Sequence, residues 1–371
     1  MTTTLTLPKW YDLHVHFRQG DLIKPLIEQH LQMGCAGVVA MPNTIPPVAK
    51  VFEDEPGNDL SIQEYNKALL EAGGTAFKNI IIPLYLTAST TPHMIERGAK
   101  GGLLKSAKYY PPHATTNSNK GVDLSYYMDN GVLKALQDNG VILNVHGEIH
   151  GLKGEEFFGR ETNAEVSFYR EVAPRLVDKF PNLKIVTEHI TSKAGVEFVQ
   201  QAGPNVAASV TPQHLLYTIG DLLQGLKYHL YCMPLVKYED DLEALRKAVT
   251  SPDNIKFFAG TDSAPHAVKI TSCCGAAGCY TGGIAPQLYA DAFEKAGIDL
   301  GGPSGQEAFK KFLCLNGPAF YGLVVSTETF ILTKEPQEIG LVRTPSGTIT
   351  PLPIGMQSTP ATKTTLPWTV R

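Results

Sequence analysis

The sequence lacks the features of secreted, membrane-spanning and nucleic-acid-binding proteins. It has six cysteines in 371 residues, too few for a disulfide scaffold, and its first residues show neither the basic nor the apolar stretch of a secretion signal. No segment approaches the roughly 18 consecutive apolar residues of a membrane span. The formal net charge of −4 leaves no basic stripe for nucleic acid or for a membrane surface. We therefore predict a globular protein of the reducing cytoplasm, with neither nucleic acid nor membrane as a partner.

Short apolar runs recur along the chain, and segments with helical periodicity, such as 124–138 and 193–201, separate most of them. Apolar strands that alternate with helices are typical of a parallel sheet buried on both faces. Hydrophobic residues make up 43% of the sequence, which is enough for a sizeable core. The predicted strands lie in 11–18, 37–43, 79–86, 101–108, 141–148, 184–189, 206–211 and 255–262.

This number of strand–helix units suits an α/β fold of the (β/α)8 TIM-barrel type. An open doubly wound sheet is the alternative, which strand counting does not exclude. The reactive side chains favour the barrel, because they lie at or just past the ends of six different strands and a barrel gathers its strand ends into one ring. We expect a single domain, with the barrel over about 9–322 and short extended segments over about 323–371 packed on it. The reactive residues are His14, His16, Asn43, Lys108, His146, His189 and Asp262.

His14 and His16 are two residues apart on a predicted strand, so their imidazoles point to the same face. A His-x-His pair by itself fits a half-exposed strand equally well. His146, His189 and Asp262 at other strand ends add the nitrogen and oxygen ligands that a two-metal hydrolytic site needs. Asp262 can also pass protons as a general acid and base.

Two further features have ordinary explanations when taken alone. Lys108 cannot bind a cation as an ammonium, and a solvated or ion-paired lysine is the simplest interpretation. Carboxylation by CO2 would turn it into a bridging ligand, which no sequence rule forecasts. The polar, turn-rich segment 111–118 is typical of a surface loop, but its position directly after Lys108 also suits a lid.

A series of short runs stands out along the chain from residue 10 to about 320. They include His14-Val15-His16-Phe17-Arg18, Met41-Pro42-Asn43, Lys108-Tyr109-Tyr110-Pro111, Val145-His146-Gly147-Glu148, Glu188-His189-Ile190-Thr191 and Gly260-Thr261-Asp262-Ser263-Ala264-Pro265-His266, with others in 114–118, 211–215 and 231–234. In these runs and in their order the chain resembles the dihydroorotases of the compact bacterial and fungal type, within the amidohydrolase superfamily. The resemblance implies a (β/α)8 barrel that reversibly cyclises N-carbamoyl-L-aspartate to L-dihydroorotate in pyrimidine synthesis.

The resemblance also implies two Zn²⁺ per subunit, bridged by carboxylated Lys108 and a hydroxide. His14, His16 and Asp262 would hold the more buried zinc, and His146 and His189 the other. The implied substrate is a small molecule, and the implied assembly is a homodimer.

The resemblance further implies a set of substrate-binding residues. Arg18, Asn43 and His266 would bind the α-carboxylate of the substrate, and an arginine suits this role because it grips a carboxylate bidentately. Thr115 and Thr116 would lie on a loop that closes over the substrate. Met233 and Ala277 would contribute backbone groups, although the match at Ala277 requires a one-residue gap.

Two other functions stay open. A hydantoinase-like cyclic amidase would share the metals but not the trio of Arg18, Asn43 and His266, and an inactive barrel used as a scaffold would be expected to have lost a ligand. Nucleophilic catalysis by Ser263 or by a cysteine is weaker, because none has an evident base partner. The remaining candidates are expected to be partners of metal ligands or structural groups (Glu148, His214), an incomplete cysteine cluster (Cys273, Cys274, Cys279), and surface or packing residues (His30, His93, His113, His150, His229).

Overall fold

The computed structural model describes residues 2–371, in which parallel strands follow one another around a ring. Each strand pairs in parallel with the next along the chain, from β1 to β8. The third strand is in two pieces because Pro83, which lacks a backbone N–H, interrupts its ladder. The strands are β1 (Trp10–Val15), β2 (Cys35–Ala40), β3 (Asn79–Ile81 and Leu84–Tyr85), β4 (Ser106–Tyr109), β5 (Ile142–Val145), β6 (Ile185–Thr187), β7 (Val206–Val210) and β8 (Phe257–Ala259).

The ring closes where the segment after β8 meets the end of β1. Val15 forms a parallel bridge with Ser263. The Asp262 N–H donates to the His14 carbonyl at 2.8 Å, and the His16 N–H donates to the Ser263 carbonyl at 3.0 Å. These bonds hold two histidines and an aspartate at the same edge of the barrel.

Helices surround the ring because one stripe of each is apolar. Ile23–Gln32, for example, buries Ile23, Leu26, Ile27 and His30, which is the i, i+3, i+4, i+7 spacing of a single helix face. The helices are Ile23–Gln32, Ile62–Glu71, Pro92–Lys100, Leu124–Asp129, Val132–Asp138, Gly154–Phe158, Ala164–Ser167, Ala173–Lys179, Lys193–Gln201, Pro212–Leu216, Ile219–Leu223, Glu239–Thr250, Ala285–Lys295, Pro303–Lys310, Asn316–Tyr321 and Leu352–Gly355, with wider π turns at Phe168–Val172 and Lys311–Leu315. Nowhere in residues 2–371 is a helix both long and apolar enough to cross a bilayer.

Two clusters of buried side chains make up most of the core. The larger cluster packs the outer side chains of the strands against the helices. A smaller cluster joins side chains from nearly every barrel strand, among them Leu13, Val39, Ile142 and Phe258. Residues of strands on opposite sides of a ring can only meet inside it, so this cluster fills the barrel interior and leaves the carboxyl ends of the strands for polar groups.

The residues after Tyr321 form short strands that pack on the barrel. Thr329–Thr333 pairs antiparallel with both Thr4–Pro8 and Thr369–Val370, and Trp368 next to them is fully buried. Two further antiparallel pairs join Gln337–Gly340 to Lys363–Leu366 and Val342–Thr344 to Gly347–Ile349. A short parallel pair, Val48–Lys50 with Leu60–Ser61, lies between β2 and the next helix.

Candidate active site

Two histidines and an aspartate meet at the seam between β8 and β1. Nε2 of His16 lies 3.0 Å from Oδ1 of Asp262, and Nε2 of His14 lies 3.4 Å from the same oxygen. One ligand atom from each residue lies within 4.8 Å of the others, and all three side chains are buried. This arrangement of two imidazole nitrogens and one carboxylate oxygen fits a single zinc-like cation.

A second group lies beside the first, at the ends of β4, β5 and β6. The ring of His189 is 4.9 Å from that of His14 and 4.8 Å from that of His146. Nζ of Lys108 and the Nδ1 atoms of His146 and His189 are buried and find no hydrogen-bond partner within residues 2–371. A buried polar atom left unpaired is costly, so these three atoms fit a site in which a cation and a carboxylated lysine satisfy them.

Burial and neighbouring side chains together set the charges of both groups. It lowers the pKa of His16 to about 4 and that of Lys108 to about 8, in each case against the opposing pull of Asp262. Burial alone would raise the pKa of Asp262, but the hydrogen bond with His16 and the nearby His14 lower it to about 2. The pKa of His189 falls well below its usual value, mainly through burial. At neutral pH these histidines are uncharged and Asp262 is ionised, which are the forms that bind metal.

Buried carboxylates orient the histidines from behind. Nδ1 of His14 lies 2.7 Å from Oε2 of Glu188, which also accepts a hydrogen bond from the Ser209 hydroxyl. The other Glu188 oxygen accepts from the Asn144 amide. Glu148 orients His146 in the same way, with 2.6 Å between Oε2 of Glu148 and Nε2 of His146. Such partners fix the tautomer and direction of metal-binding imidazoles.

Glu188 was missed as a functional residue in the sequence analysis, although it stands next to His189 in one of the matching runs. A second missed residue is Asp12, whose carboxylate accepts from the Thr261 N–H at 2.9 Å and from the Thr261 hydroxyl at 2.6 Å. His30 lies 3.0 Å from the same carboxylate through Nε2. Asp12 thus ties β1 to the turn that carries Asp262. The alternation of charged and apolar residues in β1 is the signal that could have drawn attention to it.

Arg18 and His266 lie together on the other side of His16. Nη2 of Arg18 is 2.9 Å from Nε2 of His266, and Nε of Arg18 donates to the Pro265 carbonyl at 3.0 Å. Burial lowers the pKa of Arg18 to about 10, so the guanidinium stays charged at neutral pH. With Asn43 these residues line a cavity of about 360 Å³. The cavity offers a cation and amide donors to an anionic group.

The loop after Lys108 lies across the mouth of the site. The Thr116 carbonyl accepts from the Asn43 amide at 2.9 Å, and the Thr116 hydroxyl donates to the Ala277 carbonyl at 3.2 Å. Thr115 instead lines a second cavity of about 540 Å³ together with Met233 and Ala277. Thr116 borders both cavities, so this loop separates them.

Three site residues other than glycine have left-handed backbone conformations. They are Arg18 with φ 61°, His189 with φ 39° and Asp262 with φ 46°. Such conformations cost of order 1–3 kcal/mol each and cluster at functional sites.

The remaining candidates from the sequence do not join the site. The cysteine cluster is divided, because Cys273 and Cys274 are exposed whereas Cys279 is buried. His214 contacts the Thr211 hydroxyl and the Pro234 carbonyl, which suits a structural group.

The chain is similar to known proteins over most of its length. No protein-family model matches the chain. A dihydroorotase from Halorhodospira halophila is 42% identical over 341 residues, which are 91% of this chain and 92% of that relative. A dihydroorotase from Shewanella amazonensis is 39% identical over 356 residues, or 95% and 96% of the two chains.

The chain belongs to the dihydroorotase family. Its activity is therefore that of a hydrolase of the cyclic-amide type, as predicted. The dihydroorotase of Saccharomyces cerevisiae, crystallised in complex with 5-fluoroorotic acid, superimposes with a TM-score of 0.84 at 28% identity and covers 100% of this chain and 98% of its own. The dihydroorotase of Campylobacter jejuni superimposes with a TM-score of 0.79 at 26% identity.

The hydantoinase alternative is less well supported. An L-hydantoinase from Arthrobacter aurescens superimposes with a TM-score of 0.73 but is only 16% identical, over 98% of this chain and 82% of its own, so it shares the fold alone. The predicted TIM-type barrel of the amidohydrolase superfamily is confirmed, and so is the dihydroorotase function. The ring of strand ends, rather than an open sheet, accounts for the meeting of the two histidine groups.

Proposed function

We propose that this dihydroorotase interconverts N-carbamoyl-L-aspartate and L-dihydroorotate at the carboxyl ends of the barrel strands, as a step of pyrimidine synthesis. The observation that carries the proposal is the meeting of His14, His16 and Asp262 beside the unpartnered atoms of Lys108, His146 and His189. Arg18 and its neighbours stand next to this group and supply the positive charge that a dicarboxylate or an orotate-like anion needs.

The donor set suits two zinc ions. His14, His16 and Asp262 would hold one ion, His146 and His189 the other, and Lys108, once carboxylated, would bridge them. When bound, the two ions would generate a nucleophile from water at neutral pH and polarise the scissile carbonyl. The depressed pKa of Lys108 supports the carboxylation, because only the neutral amine can form a bond to CO2 as it loses a proton.

Asp262 is the proposed catalytic acid and base. Its carboxylate is ionised at neutral pH, so in the hydrolytic direction it can take a proton from the attacking water. It then delivers that proton to the amide nitrogen of dihydroorotate as the ring opens. In the cyclising direction it takes the proton from the ureido nitrogen instead. The backbone bond from the Asp262 N–H to the His14 carbonyl keeps the carboxylate aimed into the site.

The proposed substrate contacts divide between the two sides of the loop. Arg18, Asn43 and His266 bind the α-carboxylate, with Arg18 making the charge-assisted bonds. Thr116 closes the loop over the bound molecule through its contacts with Asn43 and Ala277. Thr115 borders the second cavity, where the backbone groups of Met233 and Ala277 contact the ring of the substrate.

We also propose that the chain is one domain, acts as a homodimer and works in the cytoplasm. The single domain is supported by the pairing of the N-terminal strand Thr4–Pro8 with Thr329–Thr333 of the extension. The dimer and the location are supported by the resemblance to the family.

Metal analysis of the purified protein, combined with a dihydroorotate hydrolysis assay, tests the proposal. We expect two zinc ions per chain and turnover in both directions. Asp262→Ala should abolish turnover, whereas Asp129→Ala, which alters only an exposed ion pair with Lys179, should leave it unchanged. More than a few per cent of residual activity in Asp262→Ala would argue against the acid–base role. Cleavage of hydantoins but not of dihydroorotate would favour another cyclic amidase.

A further inference from the structure

A buried lysine fastens the loop that runs from His266 to Ala277. The ammonium of Lys269 donates to the Tyr231 carbonyl at 2.7 Å, to the Ala276 carbonyl at 2.7 Å and to the Gly278 carbonyl at 2.5 Å. Only 8% of Lys269 is exposed. A lysine ammonium has three donors, so each of them is used on a main-chain oxygen.

Two of the three acceptors flank one residue of the proposed substrate site. Ala276 and Gly278 are the neighbours of Ala277, and the Ala277 carbonyl is the group that His266 contacts at 2.8 Å and Thr116 at 3.2 Å. Backbone bonds run in the same place, because the Ala276 N–H donates to the Lys269 carbonyl and the Gly278 N–H to the Tyr231 carbonyl, each at 2.9 Å. Both peptide groups around Ala277 are therefore held in place by hydrogen bonds.

The backbone at Gly278 packs closely against Ala264, in a conformation that suits only glycine. Its φ is 140°, and a Cβ there would lie 2.4 Å from the Ala264 carbonyl oxygen. The positive charge of Lys269 has no anionic partner, because no carboxylate lies within ion-pair distance of its ammonium in the part of the chain that the structure describes. A buried cation without an anionic partner raises the positive potential of a neighbouring cleft, and here the cleft is the one that receives an anion.

We propose that Lys269 is a positioning residue for substrate binding, which holds the Ala277 backbone against His266 and Thr116 and adds positive charge behind the carboxylate site. This inference rests on the proposed function, because it assigns Lys269 to the binding of dihydroorotate. It gives Lys269 no part in metal binding or in proton transfer. Its loss should therefore change KM and leave kcat and zinc content as they are.

The test compares Lys269→Met with Lys256→Met in the zinc-loaded protein. Lys256 is a matched control, because its ammonium also donates to two main-chain carbonyls, those of Val199 and Ala202, but does so before the start of β8, at the other end of the barrel. Steady-state kinetics with dihydroorotate, calorimetric binding of 5-fluoroorotate, zinc content and thermal unfolding are measured for both variants.

We expect Lys269→Met to raise KM for dihydroorotate and Kd for 5-fluoroorotate by about tenfold or more, as for the loss of charge-assisted bonds. Its kcat and zinc content should match the wild type. Lys256→Met should lower the unfolding temperature and leave KM and Kd unchanged. Lys269→Arg keeps the charge but cannot direct a planar fork at all three carbonyls, so its KM should lie between those of the wild type and Lys269→Met. If Lys269→Met fails to fold, the KM of Lys269→Arg provides the test.

Wild-type KM and Kd in Lys269→Met, or wild-type values in Lys269→Arg if only that variant folds, would overturn the proposal and leave Lys269 a structural residue. Loss of zinc from a folded variant would also overturn it. A failure of the proposed function is distinguishable, because it would appear as wild-type protein that does not turn over dihydroorotate.

Discussion

Replacing Glu188 with glutamine tests how strongly the metal site depends on a carboxylate that is not itself a proposed ligand. Glu188 is fully buried, and its two oxygens accept hydrogen bonds from His14, Ser209 and Asn144. Burial alone would raise its pKa, but His14 and Lys108 lower it overall, so the carboxylate is charged at neutral pH. Glutamine has the same shape but offers one acceptor oxygen instead of two.

The size of the effect follows from the donors around the carboxylate. A carboxamide can accept from His14 and Ser209 only if its NH2 group faces the NH2 group of Asn144, and in the reverse orientation it faces the imidazole of His14. Either way a buried donor stays unpaired, at a cost of about 1–3 kcal/mol. Loss of such a partner behind a metal-binding histidine costs about 10–100-fold in metal affinity, or roughly 1.4–2.8 kcal/mol. We therefore expect zinc affinity at the His14 site to fall by that factor.

Zinc affinity is measured on metal-free protein by competition with a chromophoric chelator, and dihydroorotate turnover is followed as zinc is added back. Glu188→Gln should need more free zinc for half-maximal recovery. Glu328→Gln, which alters only an exposed carboxylate near Lys9 and Lys78, should behave as the wild type. If Glu188→Gln bound zinc with wild-type affinity, Glu188 would not orient His14 and this reasoning would be refuted.

Three other variants or conditions test the proposed site. Arg18→Lys removes bidentate charge-assisted bonds of about 1.5–3 kcal/mol, so steady-state kinetics should show KM raised by about 10- to 150-fold, and an unchanged KM would remove Arg18 from the carboxylate site. Thr116→Val deletes the hydroxyl that donates to the Ala277 carbonyl, so KM should rise by about three- to tenfold while metal analysis is unchanged; loss of metal would mean that the loop is structural. Because the pKa of Lys108 is lowered to about 8, its neutral fraction grows as the pH rises through that value, and metal-free protein given zinc and a fixed concentration of dissolved CO2 should regain activity faster at higher pH. Recovery that does not depend on pH would contradict carboxylation of Lys108.

Local sequence was sufficient where a short segment carries its own signal. The helix predicted over 193–201 is Lys193–Gln201 in the structure, and its first turn is capped by the Ser192 side chain, which accepts from the Gly195 N–H. The helix predicted over 124–138 is broken after Asp129, because Gly131 takes a φ of 86°. An Asn-Gly turn signal was present there, but the apolar periodicity on both sides concealed it.

The sequence by itself determined the fold class and the family and singled out the residues of the candidate site, because apolar periodicity and short motifs are properties of neighbouring residues. Only the tertiary structure decided which polar side chains form hydrogen bonds with these residues and with the loops around them. Glu188 meets His14, Asp12 meets Thr261 and Lys269 meets Tyr231 across long sequence separations. Such contacts follow from closure of the barrel and the path of its loops, for which no local pattern exists.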